Sequence, residues 1–350
     1  MTGEELRALR EKRGLTQAEM AAWVNERTGR KYDKQKISRW ETGAERVTRD
    51  VAILLQVSEL ERPKEPAGRR AVAMAVALQK GGTGKTVSSI NVAYLLARAG
   101  NRVLLVDADP QSNATVHVGV DRATIVARAR GGQTLTDVLV HDKPLADIIM
   151  PTGIPGLDLV PSAVSLANAD GALQSIDPNG PSTILVDRLD QVRGDYDYII
   201  ADCAPNLGLV TLNVLNSVDL VLIPCQTEPH AIYGVELIQQ TITRIQSRTN
   251  PALRVLGILP TMFNARLTQD RASLEDIRKG FGGAMRVFSP VPRSTVYPQA
   301  AGAAEVTLAV VPDAPGLDAY LEVASALIRE RDGTAPQSAT PANPAEAAHG

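Results

Sequence analysis

The chain has 350 residues, enough for two or three domains and for a core that needs no disulfide or metal staple. Apolar residues make up 44% and charged residues 22%, close to a soluble globular average, which excludes collagen, a coiled-coil rod and wholesale disorder. The net charge of −2 hides an asymmetry: residues 1–70 carry 16 basic against 12 acidic side chains and the remainder 21 against 27, so the first segment is the end suited to a polyanion. No apolar run reaches about 18 residues, and the start MTGEELRALREKRG is charged where a signal peptide is apolar. A cytoplasmic protein without stable membrane association is therefore expected. Cys203 and Cys225 lack CxxC spacing and by themselves form neither a disulfide framework nor a four-ligand zinc site.

Residues 3–57 read as four or five short helices. Thr16-Gln17-Ala18-Glu19 is a capping box after the turn Gly14-Leu15, and Met20, Trp23 and Val24 follow at helical spacing. Asp33 caps a third helix over 34–42 that Gly43 ends, with Ile37 and Trp40 on its inner side. Trp23 and Trp40 are assigned to the core. The other face carries Lys34, Gln35, Lys36, Ser38 and Arg39. The start of such a helix enters the major groove, where Gln and Arg read base edges, and the connection 25–32 brings Arg27, Arg30 and Lys31 for phosphates. A helical protein-interaction module is the alternative. RPKEPAGRR (62–70) reads as a linker, and DGTAPQSATPANPAEAAHG (332–350) as a disordered tail.

Between them, short apolar runs alternate with helical stretches. The runs 71–78, 102–106, 157–160, 198–201, 220–224 and 255–259 are apolar at nearly every position, the pattern of strands covered on both faces in a parallel sheet. After the first comes Gln79-Lys80-Gly81-Gly82-Thr83-Gly84-Lys85-Thr86, then Val87 and a helical stretch closed by Gly100. Glycines let successive N–H groups turn inward toward a phosphate, and the helix N-terminus adds positive charge. Lys85 reaches outer phosphates and the Thr86 hydroxyl suits Mg²⁺. The strict pattern needs glycine at 79; the variant here is K-G-G-x-G-K-T, with a second lysine at Lys80.

Two acidic segments follow. Asp107-Ala108-Asp109-Pro110-Gln111-Ser112-Asn113-Ala114-Thr115 ends the second strand, and Asp202 ends the apolar run of YDYIIADCAPNLG. Carboxylates at the carboxyl ends of such strands lie where α/β sheets bind ligands.

The loop and both acidic segments resemble the ParA/MinD class of deviant Walker A ATPases, and within it the ParA partition proteins. The resemblance implies a P-loop NTPase fold, a mostly parallel sheet flanked by helices behind a small all-α helix-turn-helix domain, with ATP and Mg²⁺ as cofactors. It implies that Lys80 reaches the partner's phosphates across an ATP-dependent homodimer, while Gly81, Gly82, Thr83, Gly84, Lys85, Thr86 and Val87 hold the subunit's own nucleotide. Lys80, Lys85 and Asp109 are then catalytic, Asp109 orienting the attacking water. Thr86, Asp107 and Asp202 hold the metal or its shell. Ser112 stands where the family has glycine, and Ala204 where it has proline. Cys203 reads as a small buried filler. A nitrogenase-iron-protein reading is set aside because Cys203 and Cys225 do not match its cluster cysteines.

Later segments, GILPTMFNAR and VPRSTVYPQAA, resemble the family's base-contacting loops. They imply adenine contacts at Thr261, Met262 and Pro292 and non-specific DNA contacts at Arg266 and Arg293; Val296 replaces a further arginine. LRxxRGLTQAEMA…ISRWETG resembles the Cro/phage-repressor helix-turn-helix class, which implies an operator, and the family implies a centromere-binding ParB-type partner and a place on the nucleoid. The expected division is 1–61 helix-turn-helix, 62–70 linker, 71–331 ATPase and 332–350 tail. Three alternatives remain open: a nucleotide-sensing transcription regulator, a relative that positions a protein cargo, and a membrane-working ATPase of the MinD type. The last needs a C-terminal anchor helix, and YLEVASALIRER fits better as the final helix of the domain.

Overall fold

The apolar runs become strands that are covered on both faces, which is why nearly every position in them is apolar. In chain order they are β1 (Val72–Val76), β2 (Val103–Ala108), β3 (Met150–Pro151), β4 (Leu157–Val160), β5 (Tyr198–Cys203), β6 (Leu220–Gln226) and β7 (Arg254–Thr261). The computed structural model describes residues 1–60, 70–176, 180, 182–229 and 231–333. The strands form one sheet in the order β3-β4-β2-β5-β1-β6-β7, parallel throughout except that β3 runs antiparallel to β4. All six expected strands are present. The seventh, β3, was not anticipated: two residues ending in proline leave no pattern to read, and it survives only at the edge, where a missing N–H costs nothing.

Two apolar clusters lie on opposite faces of the sheet. One holds the phosphate-loop helix (Lys85–Arg98) and the last helix (Leu317–Asp332), which pack on each other. Asp332 is thus the final helical residue and Gly333 its left-handed cap, rather than the start of a tail; residues 334–350 lie outside the described residues, as do 61–69 of the expected linker. The β2–β5 register sets Asp107 directly opposite Asp202, and β1 places Val76 beside Asp202 just before the phosphate loop.

The N-terminal module has four helices: Gly3–Lys12, Gln17–Thr28, Lys34–Glu41 and Arg49–Ser58. The capping box at Thr16 and Glu19 forms in both directions, and Asp33 accepts the Lys36 N–H. Ile37 and Trp40 are fully buried, with Tyr32 edge-on to Trp40 at 4.9 Å. Trp23 departs from expectation. It is only partly buried, and the guanidinium groups of Arg13 and Arg27 lie over its ring at 4.6 and 4.3 Å. Helical spacing placed it on the inner face, where it packs against the core cluster, while the two arginines cover its remaining surface.

The fourth helix does not hang free. Its Ile53 and Val57, with Leu60, pack into the cluster of the phosphate-loop and last helices. Arg49 pairs with Asp313 at 2.8 Å and donates to that residue's carbonyl at 2.7 Å, while Gln56 reaches Asp318 at 3.3 Å. Aspartate at this position removes apolar contact from the joint, so Ile53→Asp is expected to cost about 1–3 kcal/mol. In calorimetry the variant should split one unfolding transition into two, the helical module melting first; an unchanged single transition would show that the joint contributes no stability.

Candidate functional site

The carboxyl ends of β1, β2, β5, β6 and β7 open onto one mouth, and the phosphate loop crosses it. Gly82 and Gly84 adopt φ of 73° and 82°, a backbone that only glycine enters without cost, and Gly84 caps the helix that begins at Lys85. Lys85 is buried, and its Nζ donates to the Lys80 carbonyl at 2.7 Å, folded along the inside of the loop. Burial lowers its pKa, opposed by the nearby Asp202. Lys80 behaves otherwise: its side chain lies at the outer rim, 43% exposed, in an ion pair with Glu228 just beyond β6. From β6 itself, Gln226 Nε2 donates to the Gly82 carbonyl at 2.8 Å.

Asp202 is fully buried. Ser89 Oγ donates to its Oδ1 at 3.0 Å, whereas Oδ2 has no hydrogen-bond partner. Burial first, and the charge of Asp107 second, push its pKa up to about 8, partly offset by the hydroxyls of Thr86 and Ser89. Thr83 Oγ1 in the loop is likewise buried and unpartnered. Orphaned buried oxygens are rare, and here they sit beside a loop of inward N–H groups. Phosphates and a hydrated Mg²⁺ fit that combination. Among the described residues no cluster of three or more His, Cys, Asp or Glu forms a metal site by itself.

Asp107 is tied into its own loop. Its Oδ2 accepts the N–H and hydroxyl of Thr115 at 2.8 and 2.7 Å, and its Oδ1 accepts the Asp109 N–H at 3.1 Å. With both oxygens engaged it clamps the loop 109–115 to the sheet. Its pKa is pushed up to about 6 by burial, against these donors. Asp109 is buried beside it and accepts the Gln111 N–H at 2.9 Å. Ser112, where the resemblance has glycine, sits at φ 57°, a left-handed position. Cys203 and Cys225 are buried and free; burial raises both thiols, Cys225 to about 12, so neither is a nucleophile.

The sequence-assigned base contacts come together. Val87, Thr261, Met262 and Pro292 line one cavity of about 270 Å³ next to Gly84, and Thr261 Oγ1 ties to the Thr83 carbonyl at 2.9 Å. Tyr297 and Tyr320, missed by sequence reasoning, also line it, and so does Arg293. Tyr320 belongs to the last helix, and no local motif announces it. Arg266 and Arg293 are both exposed; the bridge between Phe263 and Pro292 brings their loops side by side. Val296 packs against the core, so the missing arginine leaves no exposed gap. On the reading helix, Lys34, Gln35 and Arg39 are exposed and Ser38 half-buried, but Lys36 is bound to Glu45 and lies over Trp40.

The pattern of the AAA domain family matches residues 71–255, and that of a helix-turn-helix domain matches residues 3–67. The sporulation initiation inhibitor protein Soj of Bacillus subtilis is 36% identical over 252 residues, which cover 72% of this chain and 96% of Soj. The chromosome partitioning protein ParA of Caulobacter vibrioides is 35% identical over 263 residues, 74% of this chain and 95% of that protein. The chain belongs to the ParA family of ATPases. Cobyrinic acid a,c-diamide synthase from Mycobacterium smegmatis, solved with an ATP analogue and magnesium, superposes with a TM-score of 0.63 at 33% identity, covering 75% of this chain and 96% of that one. This ParA-family protein is therefore a P-loop ATPase that uses ATP and Mg²⁺, preceded by a helix-turn-helix domain. No helix among its described residues is long and apolar enough to cross a membrane.

Left-handed backbone costs a serine roughly 1 kcal/mol relative to glycine. Ser112→Gly is expected to raise the denaturant midpoint by a corresponding small step; a lowered midpoint would mean that the serine hydroxyl earns its place through a bond.

Proposed function

We propose that this protein is a ParA-type motor for plasmid or chromosome partition: ATP joins two copies through Lys80, the pair grips DNA without sequence preference, and hydrolysis releases it. Residues 71–331 are the motor and residues 1–61 a separate reader. The observation that carries the reading is the split between the two lysines. Lys85 is committed to the inside of its own loop, whereas Lys80 is exposed and in an ion pair with Glu228, which supports a role toward a nucleotide other than its own.

In this reading residues 81–87 and Lys85 hold the triphosphate, and Thr86 and Asp202 hold Mg²⁺, which when bound neutralises charge on the outer phosphates. Asp109 orients the attacking water, and Asp107 acts by clamping the Asp109 loop. The cavity of Thr261, Met262, Pro292 and Tyr297 takes the adenine. Arg266 and Arg293 meet DNA phosphates. Gln35 and Arg39 read an operator for autoregulation, and a centromere-binding ParB-type protein stimulates turnover, with the protein cytoplasmic and carried on the nucleoid.

Lys80→Ala is expected to abolish ATP-dependent dimers in sedimentation and the ATP dependence of DNA affinity, while leaving ATP binding within about twofold. An ATP-induced dimer retained by that variant would overturn the motor. Asp109→Ala should lower steady-state turnover by about 100-fold or more and trap the DNA-bound state, as expected when the nucleophile loses its orienting group. Arg266→Ala with Arg293→Ala should reduce the steepness of the salt dependence of DNA binding by about two phosphate contacts.

A second reading, a nucleotide-sensing transcription regulator with negligible turnover, is favoured by the seating of the fourth helix on the phosphate-loop helix. Turnover measured with and without DNA separates the two: a motor cycles, a sensor does not.

A further inference from the structure

The helix that follows the Asp202 loop, Leu209–Ser217, has no cap of its own. Its N-cap residue is Gly208, which offers no side chain. Asp170, in the first turn of the helix Ala169–Ile176, supplies the missing acceptor: its Oδ1 takes the Val210 N–H at 3.0 Å. A carboxylate there also faces the positive end of the helix. Gly208 has φ −73°, a backbone any residue adopts, so its conformation does not require glycine. Proximity does. A Cβ at 208 would fall on Asp170 Oδ2.

The same short segment also reaches the other acidic loop. The Ser162 N–H donates to Thr115 Oγ1 at 3.2 Å, and Thr115 in turn donates to Asp107. At the far end, Thr211 Oγ1 of the capped helix holds the Asn206 carbonyl at 2.8 Å, inside the loop that starts at Asp202. Residues 162–170 thus touch the anchor of the Asp109 loop at one end and the anchor of the Asp202 loop at the other.

We propose that Asp170 is a positioning residue for ATP hydrolysis, capping the helix after Asp202 so that this loop and the Asp109 loop are held to one common segment. The inference rests on the assignment of Asp109 and Asp202 to the reaction. Asp170 does not touch the nucleotide; its effect falls on turnover more than on binding.

The test uses the full-length chain with steady-state ATPase, binding of a fluorescent ATP analogue, and thermal melting. Asp170→Ala is expected to lower kcat about tenfold, with analogue affinity within about twofold of wild type. Asp170→Asn keeps an acceptor oxygen and should recover most of the rate. Gly208→Ala should reproduce the loss by displacing the carboxylate, and the double variant should be no slower than Asp170→Ala alone. Wild-type kcat in Asp170→Ala, additive losses in the double variant, or a loss that disappears when turnover is normalised to folded protein would each overturn the proposal. Asp109→Ala, measured alongside, keeps the two levels apart. If it stays active, the site assignment falls and the inference with it; if it is inactive while Asp170→Ala is unaffected, only the inference falls.

Discussion

The pairing of β2 with β5 is the constraint on which the rest depends. It sets two carboxylates, Asp107 and Asp202, side by side in a water-free layer at the ends of adjacent strands. Burial and mutual repulsion make that arrangement unfavourable by itself. The molecule resolves it in two ways. Asp107 is surrounded by donors from its own loop, whereas Asp202 keeps one oxygen without a partner and has the Lys85 ammonium nearby. One acid clamps its own loop, and the other keeps an oxygen open toward the phosphate loop, the contrast on which its proposed cation role rests.

Much of this was legible in the sequence because it is local. The phosphate loop is a contiguous octet whose glycines and lysines have meaning only together, and the caps at Thr16 and Asp33 lie three residues from their partners. The six long strands could be read from unbroken apolar runs. What escaped was mostly non-local. Tyr320 reaches the cavity from the last helix, Glu228 meets Lys80 only through the β1–β6 pairing, and Asp170 caps a helix 40 positions away. Tyr297, five residues after Pro292, carried no signal of its own within a segment already singled out. Periodicity gave Trp23 the right face but not the two arginines that cover it. The three donors that hold Asp107 to its own loop, from Asp109 and Thr115, were likewise not readable from a carboxylate at a strand end.

Departures from the family pattern also gain a physical sense. Ser112 takes the left-handed backbone that glycine would adopt at lower cost, so the fold, and not the residue, dictates the turn. Val296 sits against apolar neighbours instead of projecting a charge. Such changes alter local energetics without moving the strands that carry the acids.

The joint between the fourth helix and the ATPase core has a geometric corollary. A reader on a slack tether could straddle half-sites at many separations. Here Arg49, Ile53 and Gln56 seat the module on the body. Under the pairing proposed above, two such modules would stand at one fixed separation, and an operator read by both would carry a single centre-to-centre period set by the symmetry axis of the body.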